Sequence, residues 1–302
     1  MRAAAANPER GRVAGLTLDG CGVLRPDGKR VLVPDALPGE DIEYVVTRRR
    51  PKYDEGRLLA VHAPAADRVV PACGYFGRCG GCTLQHLAPE AQLRAKEAAL
   101  LDTLARIGGA IPGQVLPPVA GSPWGYRRRA RLAVRDVAGK GRVLVGFHER
   151  GRPYVMDMTS CATVHPAIST LLAPLSALAG GLSFRNRLPQ FEVTVADNAV
   201  AVVVRALQPP TGADRARLAA FGAEGTADGR PVRVYLQTGD AASIEPVAGP
   251  DASPLEYALP AYGLRLAFGP TDFIQVHAEV NAALIVRARI GNGLPEGTVF
   301  RG

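Results

Sequence analysis

Between residues 11 and 65 apolar and polar positions alternate in short runs, Arg12–Leu18, Arg30–Val33, Ile42–Thr47 and Arg57–His62, separated by Asp19-Gly20, Asp27-Gly28 and Pro38-Gly39. A period of two marks strands, and the glycine pairs supply turns. This stretch predicts a small all-β unit over 8–66, a barrel of the oligonucleotide-binding kind. From Pro89 the period lengthens. Pro89 suits a first helical turn, Leu93, Leu100, Leu104 and Ile107 recur on one helical face, and Gly108-Gly109 ends the run. This helix is expected to pack over the loop before it, with its charged face in water.

Alternation returns in WGYRRRARLAVRD, Trp124 to Asp136. Read as a strand, it puts Arg127, Arg129, Arg131 and Arg135 on one face and turns Ala130, Leu132 and Val134 towards a core. Lys140-Gly141 reads as a hairpin tip leading into a second strand, Arg142–Glu149. From His165 to about Phe268 helical and strand patterns interleave. Ala167–Ala179 and Asp214–Phe221 are helix-like, Phe191–Ala196 and Ala199–Ala206 form a hairpin around Asp197-Asn198, and Val232–Gln237 and Leu264–Phe268 are strands. Asp228-Gly229 and the stretch from Gly249 to Pro254 mark loops. The fold class is α+β, with a central, mostly antiparallel domain over 67–268. A third segment, 269–302, begins with Asp272-Phe273-Ile274-Gln275 and runs into a helix striped by Val280, Leu284 and Ala288, closed by glycines at 291 and 293.

Composition narrows the function. The 302 residues suit about two domains, and a hydrophobic share of 47% is ample for cores. No run approaches the ~18 apolar residues of a membrane span, and MRAAAANPERGRVAG at the N-terminus lacks the apolar core of a signal peptide. The five cysteines are odd in number and clustered, which argues against a secreted disulfide scaffold and for a reducing cytoplasm. The net charge of +8 is concentrated: from Gly121 to Pro153 nine Lys and Arg face only Asp136 and Glu149. That concentration points to a polyanion. Alternate residues of a strand repeat every ~6.6–6.8 Å, close to the step between phosphates on a nucleic-acid strand. Trp124 and Tyr126 add rings on which an unstacked base could rest. No acidic partner for the arginine face is visible in the sequence, so nucleic acid is favoured over a merely solvated face. Arg48, Arg49, Arg50 and Lys52 are a second basic connection, either meeting phosphates or solvated.

The chemistry concentrates in CGYFGRCGGCTLQH, Cys73 to His86, where three cysteines are spaced C-x5-C-x2-C. Thiolates this close suit one inorganic centre, and Gly80-Gly81 lets the backbone bend between ligands. The spacing accepts zinc or an iron–sulfur cluster, with His86 as the local fourth ligand or Cys161 as the distant one. Cys21, between two glycines, reads as a turn or strand residue.

In order, these pieces resemble the RNA uracil-C5-methyltransferase family: a barrel of TRAM type, C-x5-C-G-G-C-x2-Q-H, W-G-Y-R-R-R-A-R, a fourth cysteine, and D-F-I-Q-V. The resemblance runs over nearly the whole chain. It implies a [4Fe-4S] cluster held by Cys73, Cys79, Cys82 and Cys161, contact of Gln275 with S-adenosylmethionine, and a place for Phe273 in the uracil pocket. It implies methylation of a uridine at C5 in 23S ribosomal RNA, by a monomer with no DNA or membrane partner. The family has Asn where this chain has His277. Members continue into a Rossmann-like domain opening D-L-x-C-G-x-G, whose first strand is expected to begin where this chain reads Thr298-Val299-Phe300-Arg301-Gly302. The resemblance therefore implies that the nucleophilic cysteine and the glutamate base lie beyond residue 302, that 269–302 is the start of that catalytic domain, and that the isolated chain does not methylate. The competing expectation is a non-catalytic iron–sulfur RNA-binding module. A zinc-bearing RNA-binding protein is a third.

Overall fold

The computed structural model describes residues 7–247 and 253–291, side chains at 241 and 289–291 excepted. The glycine at 293, residues 292–302 of the expected third segment and part of the loop before Pro254 lie outside the described residues. The chain divides into two compact units between Pro118 and Val119.

The first unit holds a six-stranded sheet of β1 (Glu9–Arg12), β2 (Gly15–Leu16), β3 (Cys21–Leu24), β4 (Arg30–Pro34), β5 (Asp41–Arg49) and β6 (Tyr53–Ala63), in the order β1-β5-β6-β4-β3-β2. β4 and β6 run parallel and the other neighbours antiparallel. Alternation puts Leu24, Val31, Val33, Ile42 and Tyr44 into one core with Val13 and Ala36. Gly22 belongs there because a Cβ would lie 2.7 Å from the Ala36 carbonyl oxygen. The buried Tyr44 donates to Glu9 Oε2 at 2.9 Å; burial and the neighbouring carboxylate push its phenol up to about 12.

Below this sheet a buried carboxylate fastens the segment that leads into the cysteine loop. Glu40 is fully buried and accepts from Leu37 N, Ala65 N and both Nε and Nη2 of Arg68. Burial alone would raise its pKa; the Arg68 bonds and the two backbone N–H donors outweigh that and lower it.

A single helix, α1 (Pro89–Arg106), follows the loop. Its packing differs from the expectation. The leucine stripe does not lie over the cysteine loop: Leu100, Leu104 and Ile107 are exposed, and α1 is anchored instead by Ala91, packed with Leu37 and Leu87. Small residues near its first turn permit close approach, which the periodic leucines conceal. The grouping of segments differs as well. The contacts join 67–118 to the first unit, whereas sequence pattern assigned 67–268 to one domain.

The second unit is built on β7 (Arg129–Val137), β8 (Arg142–Gly146), β9 (Gln190–Val195), β10 (Val200–Arg205), β11 (Val232–Gln237) and β12 (Ile244–Pro246), in the order β12-β11-β10-β9-β7-β8. Only β10 and β11 run parallel, joined through α3 (Gly212–Glu224). The hairpin at Asp197-Asn198 forms as expected, with Val195 opposite Val200. One face of the sheet, with Ala130, Leu132, Phe191, Val193, Val202 and Leu236, is buried, and α2 (Pro166–Gly181) and α3 pack on the sheet. Thr211 caps α3 in a reciprocal box with Asp214. The second hairpin, β13 (Leu255–Leu259) and β14 (Leu264–Phe268), covers part of the other face, setting Leu255 and Phe268 against Ala201 and Tyr235. A last helix, α4 (Ala278–Gly291), ends the described chain.

Candidate nucleic-acid interface and cysteine loop

The arginine strand forms, and its parity is as the alternation predicts: Ala130, Leu132 and Val134 are buried, while Arg131 and Arg135 are exposed. The face is not free of acid, however. β9 sets Glu192 directly opposite Arg131, and its buried carboxylate takes Arg129 Nε at 2.6 Å, Arg129 Nη2, and Arg131 Nε at 3.1 Å. Cross-strand register, absent from a linear reading, supplies the partner. Arg129 and Arg131 thereby diverge. The Arg129 side chain is only 12% exposed, and its remaining donors reach the carbonyl oxygens of Thr271, at 2.7 Å, and Asp272. Arg131 keeps 70% of its side chain in solvent. Arg129 is therefore a tie between β7, β9 and the 271–272 backbone, and Arg131 and Arg135 are the members of the row open to a ligand.

The same tie seats the DFIQ segment. Arg128 N donates to the Val276 carbonyl at 2.9 Å, and Arg127 bridges both Val164 and His277. Tyr126 stacks on His277, ring centres 4.6 Å apart and planes 12° from parallel. His277 Nε2 lies 3.0 Å from the Ser122 carbonyl, and its Nδ1 faces Val280 N at 3.4 Å. One face of the Tyr126 ring is thus committed within the protein. A Cβ on Gly121 would lie 2.4 Å from His277 Cε1, so the imidazole fills the space that glycine leaves. Phe273 is 81% exposed and Trp124 sits at the surface. Gln275 is exposed and lines a small hollow with Tyr257, Asn281 and the Arg128–Asp197 ion pair, N to O 2.5 Å. Arg128, Tyr257 and Asn281 were missed by sequence reasoning. Arg128 precedes β7, so strand parity does not govern it, and Asn281 shares a surface with Gln275 only because a helix starts between them.

The cysteine loop is folded by backbone turns. Phe76 N and Cys79 N donate to Cys73 O and Tyr75 O, at 3.0 and 2.8 Å, around Gly77 at φ 84°. Gly81 N points at Cys79 Sγ, 3.4 Å away. Val69 N and Gln92 Nε2 secure the loop's end, bonding His86 O and the carbonyls of Leu84 and Leu87. Cys79 is buried, Cys73 and Cys82 are half-buried, and the His86 ring packs inside, 5.3 Å from Phe76. Among the described residues no three His, Cys, Asp or Glu side chains gather closely enough to hold a metal ion. Cys161 stands in the second unit, its N–H bonded to Ser169 Oγ at 2.9 Å. The basic connection in the first unit is partly neutralised: Arg49 pairs with Asp54 and Arg50 with Glu55, while Arg48 is exposed.

No family model matches the chain. Curated relatives do. Over 276 residues, 91% of this chain, it is 44% identical to the 23S rRNA (uracil(1939)-C(5))-methyltransferase RlmD of Bordetella parapertussis, of which it covers 58%. Over the same share of the chain it is 45% identical to the RlmD protein of Aromatoleum aromaticum, of which it covers 63%. Over 91% of its length the chain is similar to these RNA uracil-C5-methyltransferases. It spans about three-fifths of the length of the curated family members it matches. Among solved structures, the tRNA (uracil-54, C5)-methyltransferase of Pyrococcus abyssi, in complex with S-adenosyl-L-homocysteine, superposes with a TM-score of 0.64 at 20% identity, over 93% of this chain and 64% of that one. At that identity the likeness speaks for the family's fold alone. No described helix is long and apolar enough to cross a membrane.

Proposed function

We propose that this chain forms the RNA-holding part and one edge of the cofactor site of an enzyme that methylates a uridine at C5 in 23S ribosomal RNA, as its relatives' names state. One observation carries the reading. Arg129 fastens the segment bearing Phe273 and Gln275 to the strand bearing Arg131 and Arg135. An RNA held on the arginine row would thus meet the uracil- and cofactor-facing side chains in fixed register, and fixed register is what positioning contributes to catalysis.

Bound S-adenosylmethionine supplies an electrophilic methyl group. The exposed amide of Gln275 suits a polar edge of that cofactor, with Asn281 and Tyr257 beside it. The small hollow they line suits a rim rather than an enclosing pocket. Phe273 offers a bare ring for the target base, while Arg131 and Arg135 hold phosphates. Tyr126 acts through its stack on His277. The first unit, a TRAM-type strand unit over 8–66, offers RNA a basic residue of its own in the exposed Arg48.

Cys73, Cys79, Cys82 and Cys161 are the thiolates proposed to hold a [4Fe-4S] cluster in a cytoplasmic, monomeric protein. The donor chemistry fits: three soft ligands share one turn-rich loop, and a backbone N–H is directed at Cys79 Sγ, the kind of bond that tunes cluster sulfurs.

Deleting the gene and mapping C5-methyluridine in 23S rRNA by mass spectrometry tests the activity. Loss of one methylated uridine is expected, and an unchanged methylation map refutes the proposal. Anaerobic preparations should contain iron and acid-labile sulfide and lose both in Cys82→Ser. Stoichiometric zinc without iron would remove the cluster.

A further inference from the structure

The arginine row continues across the sheet. In register, Ala133 of β7 lies opposite Gln190 of β9, and Gln190 lies opposite Arg205 of β10. Residues opposite one another share a face. Arg205 therefore emerges on the same side as Arg131 and Arg135, at the level midway between them, and it is exposed although every other residue of β10 is buried. Two strand spacings separate it from β7, about 10 Å, and Arg131 and Arg135 stand about 13 Å apart along their strand. Each arm from Arg205 to that pair is about 12 Å, close to two steps of a nucleic-acid backbone. Between them lies the half-buried Gln190, and on the far side of Arg205 the half-buried Gln237 stands opposite it on β11. Neither Arg135 nor Arg205 makes an ion pair among the described residues. Glu192 is the acid of this face, and Arg129 already engages it.

We propose that Arg131, Arg135 and Arg205 form one cross-sheet surface that grips the phosphate backbone of folded RNA, so that the strand crosses β7, β9 and β10 rather than following β7 alone. This rests on the RNA reading above. A polyanion fits better than a protein: the face carries separated guanidinium groups and amides, whereas protein interfaces are built around apolar, charge-depleted cores.

The test uses the 302-residue chain, a synthetic RNA hairpin, and affinity measured across a salt series. Arg205→Ala should weaken binding roughly threefold to tenfold and reduce the salt slope by about 0.7–0.9, as should Arg135→Ala, and Arg205→Lys should restore the slope. An Arg205→Ala variant with the parent's affinity and slope overturns the cross-sheet surface while leaving RNA binding intact. A parent chain whose RNA affinity ignores salt overturns both readings. Tighter binding of polyglutamate than of the hairpin, lost in Arg205→Ala, would assign the face to an acidic protein and defeat the proposal.

Discussion

Replacing Arg129 by Ala strips a buried carboxylate of its chief partner. Glu192 is 5% exposed and receives two of its three hydrogen bonds from Arg129. Removing one member of a buried pair costs about 3–5 kcal/mol, because the remaining charge is left uncompensated. Arg131 still reaches Glu192 Oε2 but is largely solvated, so it offsets only part of that cost. The carbonyls of Thr271 and Asp272 lose a donor, for about 1 kcal/mol or less in a segment that water can reach. About 3 kcal/mol is therefore expected, seen in thermal unfolding of the second unit as a drop of roughly 6–12 °C. Amide exchange adds a local readout. Gly269 N bonds the Asp272 carboxylate and Asp272 N the Gly269 carbonyl, so both should exchange faster once the tie is cut. Pairing Arg129→Met with Glu192→Met removes both charges and should recover at least half of the loss. If Arg129→Ala stays within about 0.5 kcal/mol of the parent and leaves those amides protected, the tie does not exist in solution.

Three further outcomes follow from individual contacts. Burial alone would raise the pKa of Asp214; hydrogen bonds from Ser183 and Thr211, side chain and backbone, reverse that and hold it well below the ordinary carboxylate range. With the folded value depressed, its stabilisation is present above the ordinary value of 3.8 and is lost as pH falls below it, so Asp214→Asn should flatten the acid limb of a stability–pH curve. Gly22→Ala drives a Cβ to 2.7 Å from the Ala36 carbonyl and should destabilise the first unit by about 1–3 kcal/mol in chemical denaturation, with no change in the second. Gly121→Ala displaces the His277 ring, so exchange at Asn281 N, which bonds the His277 carbonyl, should accelerate while the β9–β10 ladder stays protected.

Local chemistry was legible wherever one segment decided it. The Asp197-Asn198 hairpin and the inward Ala130, Leu132 and Val134 follow from turn residues and period two, without knowledge of neighbours. The leucines of α1 show where that logic stops. Periodicity finds a helix and its apolar stripe, but Leu37 and Leu87, brought in from elsewhere in the chain, choose the alanine side. The three-cysteine spacing marks a loop dense in soft donors, while their convergence on one centre depends on where loops are carried in space, and spacing does not encode it.

The same limit governs the arginine row, with a sharper consequence. Counting charge along Gly121–Pro153 treats its arginines as equivalent, yet one residue of β9, Glu192, divides them into a structural tie and an exposed row. Strand register also brings Arg205 onto the same face, which its place in a valine-rich run does not reveal. Charge density in the sequence thus points to a basic face, while pairing across strands decides which guanidinium groups remain exposed on it. A net count overstates β7's own contribution by the arginine that Glu192 holds and omits the one that β10 adds. On the cross-sheet surface proposed above, phosphate contacts pass from Arg131 and Arg135 on β7 to Arg205 on β10, because Glu192 already holds Arg129.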